Sequence, residues 1–181
     1  TPTDNATVEV SLNVDIPTGP NLSQTMVAKG AAGKTTGAAG AIDRITHEIL
    51  LSLSERQTLV VWLFDQSGSL NRTRNEIYDR FDRVYKELGM IEESGAEEFS
   101  KHEDQPLLTS VMAFGKQVNF MTEEPTANLD EIKAAVKAIE NDSTGVENVF
   151  SSVITAVGKY QKYRNSRPRR NVMIVVVSDE I

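Results

Sequence analysis

Cysteine is absent from this 181-residue chain. Its absence excludes a disulfide framework, a thiolate metal site and a thiol nucleophile. Histidine is almost missing: His47 falls in a helical pattern and His102 in an acidic stretch. No Gly-x-Ser-x-Gly elbow appears either, so nucleophile-based hydrolysis is poorly provided for. No apolar run approaches the roughly 18 residues that cross a bilayer, and the run Val172 to Val177 has the length of a buried strand. Positive charge is in the minority, 19 Lys and Arg against 26 Asp and Glu, for a net charge of −7 and a pI near 4.9. That balance argues against nucleic acid or an anionic membrane as partner, and no direct membrane insertion is expected of this segment. With 39% hydrophobic residues, the length suits one compact domain plus an appended segment. The first residue is Thr1, which leads us to expect a processed form or an excised fragment.

Residues 1–41 read as an N-terminal extension. Thr7 to Val14 alternates like a half-buried strand, and a Gly-, Ala-, Thr- and Pro-rich loop follows from Pro17 to Gly40. A domain over 42–181 opens with a helix at 42–56, its stripe formed by Ile42, Ile45, Ile49, Leu50 and Leu53. Beyond Thr58, strands and helices alternate. Leu59 to Phe64 is continuously apolar, as in a central parallel strand covered on both faces. Ile77, Phe81, Val84, Tyr85 and Leu88 mark a helix that stops near Gly89, and the charges at Asp79, Arg80, Asp82, Arg83, Lys86 and Glu87 read as its solvated face. An acidic loop, Glu92 to Asp104, leads to a strand at Leu107–Phe114. A two-residue turn at Gly115-Lys116 then gives an antiparallel hairpin with Gln117–Met121. Asn128 and Glu131 start a helix striped by Leu129, Ile132, Val136 and Ile139. Val146, Val149, Phe150, Val153, Ile154 and Val157 give another clean helical stripe. Arg164, Arg167, Arg169 and Arg170 surround Pro168 before the last strand, Met173 to Val177.

This alternation predicts an α/β fold: a doubly wound, mostly parallel open sheet, Rossmann-like, with helices on both faces. Such sheets place their sites at the carboxyl ends of the strands. Asp65 ends the first apolar strand, and Asp179 follows the last. The turn Asp65-Gln66-Ser67-Gly68-Ser69 offers one carboxylate and two hydroxyls at alternate positions, with Gly68 expected to permit a tight bend. Oxygen ligands without His or Cys suit a hard divalent cation: Mg²⁺ first, with Mn²⁺ or Ca²⁺ as alternatives.

Here the chain resembles the von Willebrand factor A family and its metal-ion-dependent adhesion site. Asp65, Ser67 and Ser69 match the DxSxS motif, and Asp179, after Val175-Val176-Val177-Ser178, matches a later aspartate. The resemblance covers about residues 58–181. It implies that the serines bind the metal directly and the aspartates directly or through water. One position would remain open for a carboxylate from a protein partner. The expected role is metal-dependent protein binding, adhesion or assembly rather than catalysis. Many bacterial members are exported or tethered to membranes, so the resemblance leans towards an extracytoplasmic or membrane-tethered location. The family usually supplies a threonine from a second loop, where the best spacing here puts Glu147, with Thr144 the less well-spaced substitute. A glutamate adds negative charge that strengthens cation binding, makes the ion less attractive to an incoming carboxylate, and is able to take the open position itself. A complete domain of this family adds about two strands and a helix beyond Asp179, so C-terminal truncation is expected, the alternative being that the N-terminal strand around Val8–Val14 completes the sheet.

Plainer readings compete. Ser and Asp favour helix N-caps, so the Asp65–Ser69 turn alone fits a capping turn, and Glu147 suits a first helical turn. Ala28 to Thr35 fits a loose phosphate-binding loop, which makes a nucleotide hydrolase using Gly33, Lys34 and Thr35 the alternative function. That loop must follow a buried strand directly, yet Pro17 and Pro20 separate it from the strand ending at Val14.

Overall fold

A strand with apolar neighbours on both faces shows no polar alternation, and β1 (Thr58–Asp65) is buried at every position. The computed structural model describes residues 37–88 and 105–179. The expected strand at Val8–Val14, the Gly33-Lys34-Thr35 motif, the acidic loop Glu92–Asp104 with His102, and Glu180 lie outside the described residues. Along the chain, α1 (Gly37–Glu55) precedes β1. A 3₁₀ turn (Gly68–Leu70) and α2 (Asn71–Glu87) follow it, then β2 (Leu107–Phe114), β3 (Val118–Phe120) and α3 (Leu129–Lys137). Helix α4 (Val149–Tyr160), the single turn α5 (Lys162–Asn165) and β4 (Asn171–Val177) complete the order.

The sheet runs β3-β2-β1-β4. Strand β1 is parallel to both β2 and β4, and β3 is antiparallel to β2. After β1 the chain builds outward to β2 and β3, then returns to β1's other side as β4. The carboxyl ends of β1 and β4 therefore flank the point where strand order reverses, the crevice where open α/β sheets bind ligands. Register keeps these ends level: Asp65 lies opposite Phe114, and Phe64 opposite Val177.

Neighbouring residues of a strand point to opposite faces, and two on β2 show what covers each. The hydroxyl of Thr109 hydrogen-bonds that of Tyr85 on α2. The hydroxyl of Ser110 bonds Tyr160 on α4 at 2.6 Å and Thr122 at 2.7 Å. Helices thus cover both faces of an open, mostly parallel α/β sheet, as the alternation predicted. On the α2 side, Phe81 meets Trp62 edge-to-face with ring centroids 5.4 Å apart, a burial worth about 2–3 kcal/mol per side chain.

Three local expectations need correction, and one buried arginine was unforeseen. Helix α1 starts at Gly37, five residues earlier than its apolar stripe begins. The β2–β3 turn spans three residues, Gly115 to Gln117, rather than two. The cause is Asp142, whose Oδ2 accepts the Lys116 N–H at 2.6 Å. It would lie 2.4 Å from a Cβ at Gly115, so only glycine fits there. In α4 the buried residues are Ser152, Ala156 and Tyr160, whereas Phe150 and Ile154 of the expected stripe face outward. Small residues let the helix approach the sheet closely, which a count of large apolar residues does not register. Finally, Arg170 is buried, donating to the carbonyls of Gln105 (2.8 Å) and Pro106 (3.4 Å), so the basic run is partly structural.

Candidate metal centre

Asp65 is carried to the carboxyl rim of the sheet by β1 and is 1% exposed. Burying a carboxylate is costly unless hydrogen bonds compensate. Here Oδ1 accepts the Ser67 N–H at 2.8 Å, and Oδ2 accepts the Ser178 hydroxyl at 3.1 Å. The Ser67 and Ser69 hydroxyls lie 3.2 Å apart, and Ser69 donates to Asp179 Oδ2 at 2.5 Å. Two segments 110 positions apart thus share one hydrogen-bonded cluster. Neither Ser67 nor Leu70, the residues at the cap positions of the 3₁₀ turn and α2, caps its helix with a side chain. The serine hydroxyls thus meet each other, and that of Ser69 meets Asp179, while Asp65 supplies the motif's local turn contact through the Ser67 N–H.

Glu147 enters from the loop before α4. Carboxylate oxygens of Asp65, Glu147 and Asp179 lie within 4.8 Å of one another. Two oxygens on one ion lie at most about 4.2 Å apart for Mg²⁺ and about 5.2 Å for Ca²⁺, so the three carboxylates are near the separation one divalent ion spans, with a small inward adjustment needed for Mg²⁺. All five expected ligand residues, Asp65, Ser67, Ser69, Glu147 and Asp179, converge on this rim. Thr144, the substitute from the same loop, instead accepts its own loop's Val146 N–H at 3.4 Å.

Four residues that organise the rim were not singled out from sequence. Gln66, the unspecified position in the motif, donates its N–H to the Phe114 carbonyl (2.8 Å). Its carbonyl takes the Asp142 N–H (2.8 Å), and its amide nitrogen donates to the Glu140 carbonyl (2.9 Å). It ties the motif loop to the loop that carries Glu147. Arg74 is 4% exposed and donates to the carbonyls of Asp65 (2.6 Å) and Ser67 (3.1 Å), and to the Asn71 (2.5 Å) and Asn141 side chains. Burial pulls its pKa down, while the neighbouring Asp65 charge pulls it up. The available signal was position: Arg74 falls three residues before Ile77 on an otherwise apolar stripe. Asp142 is held below the usual carboxylate range by the Lys116 N–H first, then by Thr144. Asn148 donates to the carbonyls of Gly115 (3.2 Å) and Lys116 (3.0 Å), anchoring the start of α4 to the hairpin. Gly68, by contrast, has open space around a notional Cβ and no positive φ, so the bend does not depend on glycine as the sequence suggested.

No family model matches the chain, and no curated protein matches it.

Proposed function

We propose that this chain is a metal-ion-dependent protein-interaction module of the von Willebrand factor A type, acting by binding rather than by catalysis. One observation carries the reading: the Asp65–Ser69 turn and Asp179 meet through Ser69 at the switch point of the sheet. In this reading Ser67 and Ser69 present hydroxyl oxygens, and Asp65, Glu147 and Asp179 present carboxylate oxygens, to one hard divalent cation, with Mg²⁺ foremost. The bound ion supplies Lewis acidity towards an oxygen donor of a partner protein. Arg74 and Gln66 hold the two loops in place, so the oxygen atoms are prearranged rather than gathered on binding.

Three carboxylates against a divalent ion leave the site one unit negative. Glu147 thus favours retention of the cation and weakens its pull on a carboxylate from a partner. The location that goes with this reading is extracytoplasmic or membrane-tethered. Among the described residues no helix is long and apolar enough to cross a membrane.

Isothermal titration of the chelator-treated chain with Mg²⁺ and Mn²⁺ tests the reading. We expect one site per chain, lost in Asp65→Ala and in Asp179→Ala. Binding that persists in both variants, or no binding by the unaltered chain, sinks it.

A further inference from the structure

Helix α4 turns small residues inward and large apolar ones outward. Val146 in its lead-in, then Phe150, Ile154 and Val157, are 43%, 73%, 72% and 37% exposed. Within the helix, spacings of four and three align Phe150, Ile154 and Val157 on one stripe about 10 Å long. Val149, Ser152, Val153, Ala156 and Tyr160 already supply the contact with the sheet. The outward ridge is therefore unnecessary for folding, and water contact with it is unfavourable.

Charge differs sharply at the two ends of this ridge. At the rim where α4 begins lie Glu140, Glu147 and Asp179. At the opposite end Lys162, Arg164, Arg167 and Arg169 are all exposed and outnumber Glu124, which pairs with Lys162 at 3.7 Å. We propose that the ridge is the seam of a homodimer in which α4 packs antiparallel against α4 of a second copy. With Phe150 set against Ile154 of the partner subunit, the basic end of each copy lies along the acidic end of the other. A parallel pairing would put acid on acid and base on base, a poor arrangement for a chain of net charge −7. A two-fold axis closes the assembly at two copies. Glu147 and Asp179 also belong to the proposed metal site, so the pairing is stated for the metal-free chain.

Sedimentation velocity of the full chain in chelator, from roughly 5 to 500 μM, tests it. The mass should rise with concentration from 20.0 kDa towards twice that value. Phe150→Asp and Ile154→Asp should stay monomeric with unchanged circular dichroism and melting. Orientation is read from cysteine, which the chain lacks. A Phe150→Cys chain mixed with an Ile154→Cys chain should form the mixed disulfide in preference to either self-linked pair. A monomer at the highest concentration, a dimer surviving both aspartate substitutions, or preferential self-linking overturns the proposal.

Discussion

Glu147 brings a third carboxylate to a place where Asp65 and Asp179 already lie within 4.8 Å of each other. Without a cation the three charges repel, whereas with one they all attract it. Glu147→Gln should therefore have effects of opposite sign. It should raise the metal-free chain's unfolding free energy by about 0.5–1 kcal/mol while weakening Mg²⁺ roughly tenfold. Urea titration in chelator and calorimetry with Mg²⁺ read the two effects separately. Asp142 differs, because its charge is satisfied by N–H donors of Lys116 and Thr144. Its folded-state pKa lies below the ordinary value of 3.8. The stability it confers is thus complete above that ordinary value and is lost as pH falls through the lower folded value. Asp142→Asn should lower the urea midpoint at neutral pH. The gap from the parent chain should close in acid, and a gap constant with pH would contradict the assignment.

At the scale of elements, two glycines make a contrast that sequence alone reverses. Gly68 sits inside the motif and looked indispensable, but an added Cβ meets nothing. Gly115 looked like an ordinary turn residue, but its Cβ would strike Asp142. Gly115→Ala should cost about 1–3 kcal/mol and weaken metal binding by displacing the loop that holds Glu147. Gly68→Ala should lie within about 0.5 kcal/mol of the parent chain or stabilise it slightly. Chemical denaturation of both variants decides. The same scale shows why parts of the fold were legible. Strands β1 and β2 announce themselves because both faces are covered, β4 by its apolar run although it is half-buried throughout, and Asp65 and Asp179 stand out as charges at or just beyond the strand ends. The outward turn of α4 was hidden because the inward contact is made by Ser152 and Ala156, too small to stand out in a hydrophobic pattern. Arg74 and Gln66 were hidden because many of their bonds run to backbone groups, which no side-chain motif encodes.

For the whole molecule, an ion held at the rim adds its binding energy to the folded state alone. At about 100 times its dissociation constant the gain is roughly 2.7 kcal/mol. The melting temperature should accordingly rise with Mg²⁺ concentration in the parent chain and stay flat in Asp65→Ala, as read by differential scanning calorimetry. The gain is specific to the finished architecture because Ser69 and Asp179, joined at the rim, stand 110 positions apart in sequence. During synthesis the Asp65–Ser69 turn emerges long before its counterpart, so a growing or half-opened chain offers only part of the oxygen set and retains a cation poorly. Helix content accrues from near neighbours and rises early, but cation retention would appear only once both ends of the sheet's chain path have met. On the metal reading, a bound ion reports that the carboxyl ends of β1 and β4 have come together.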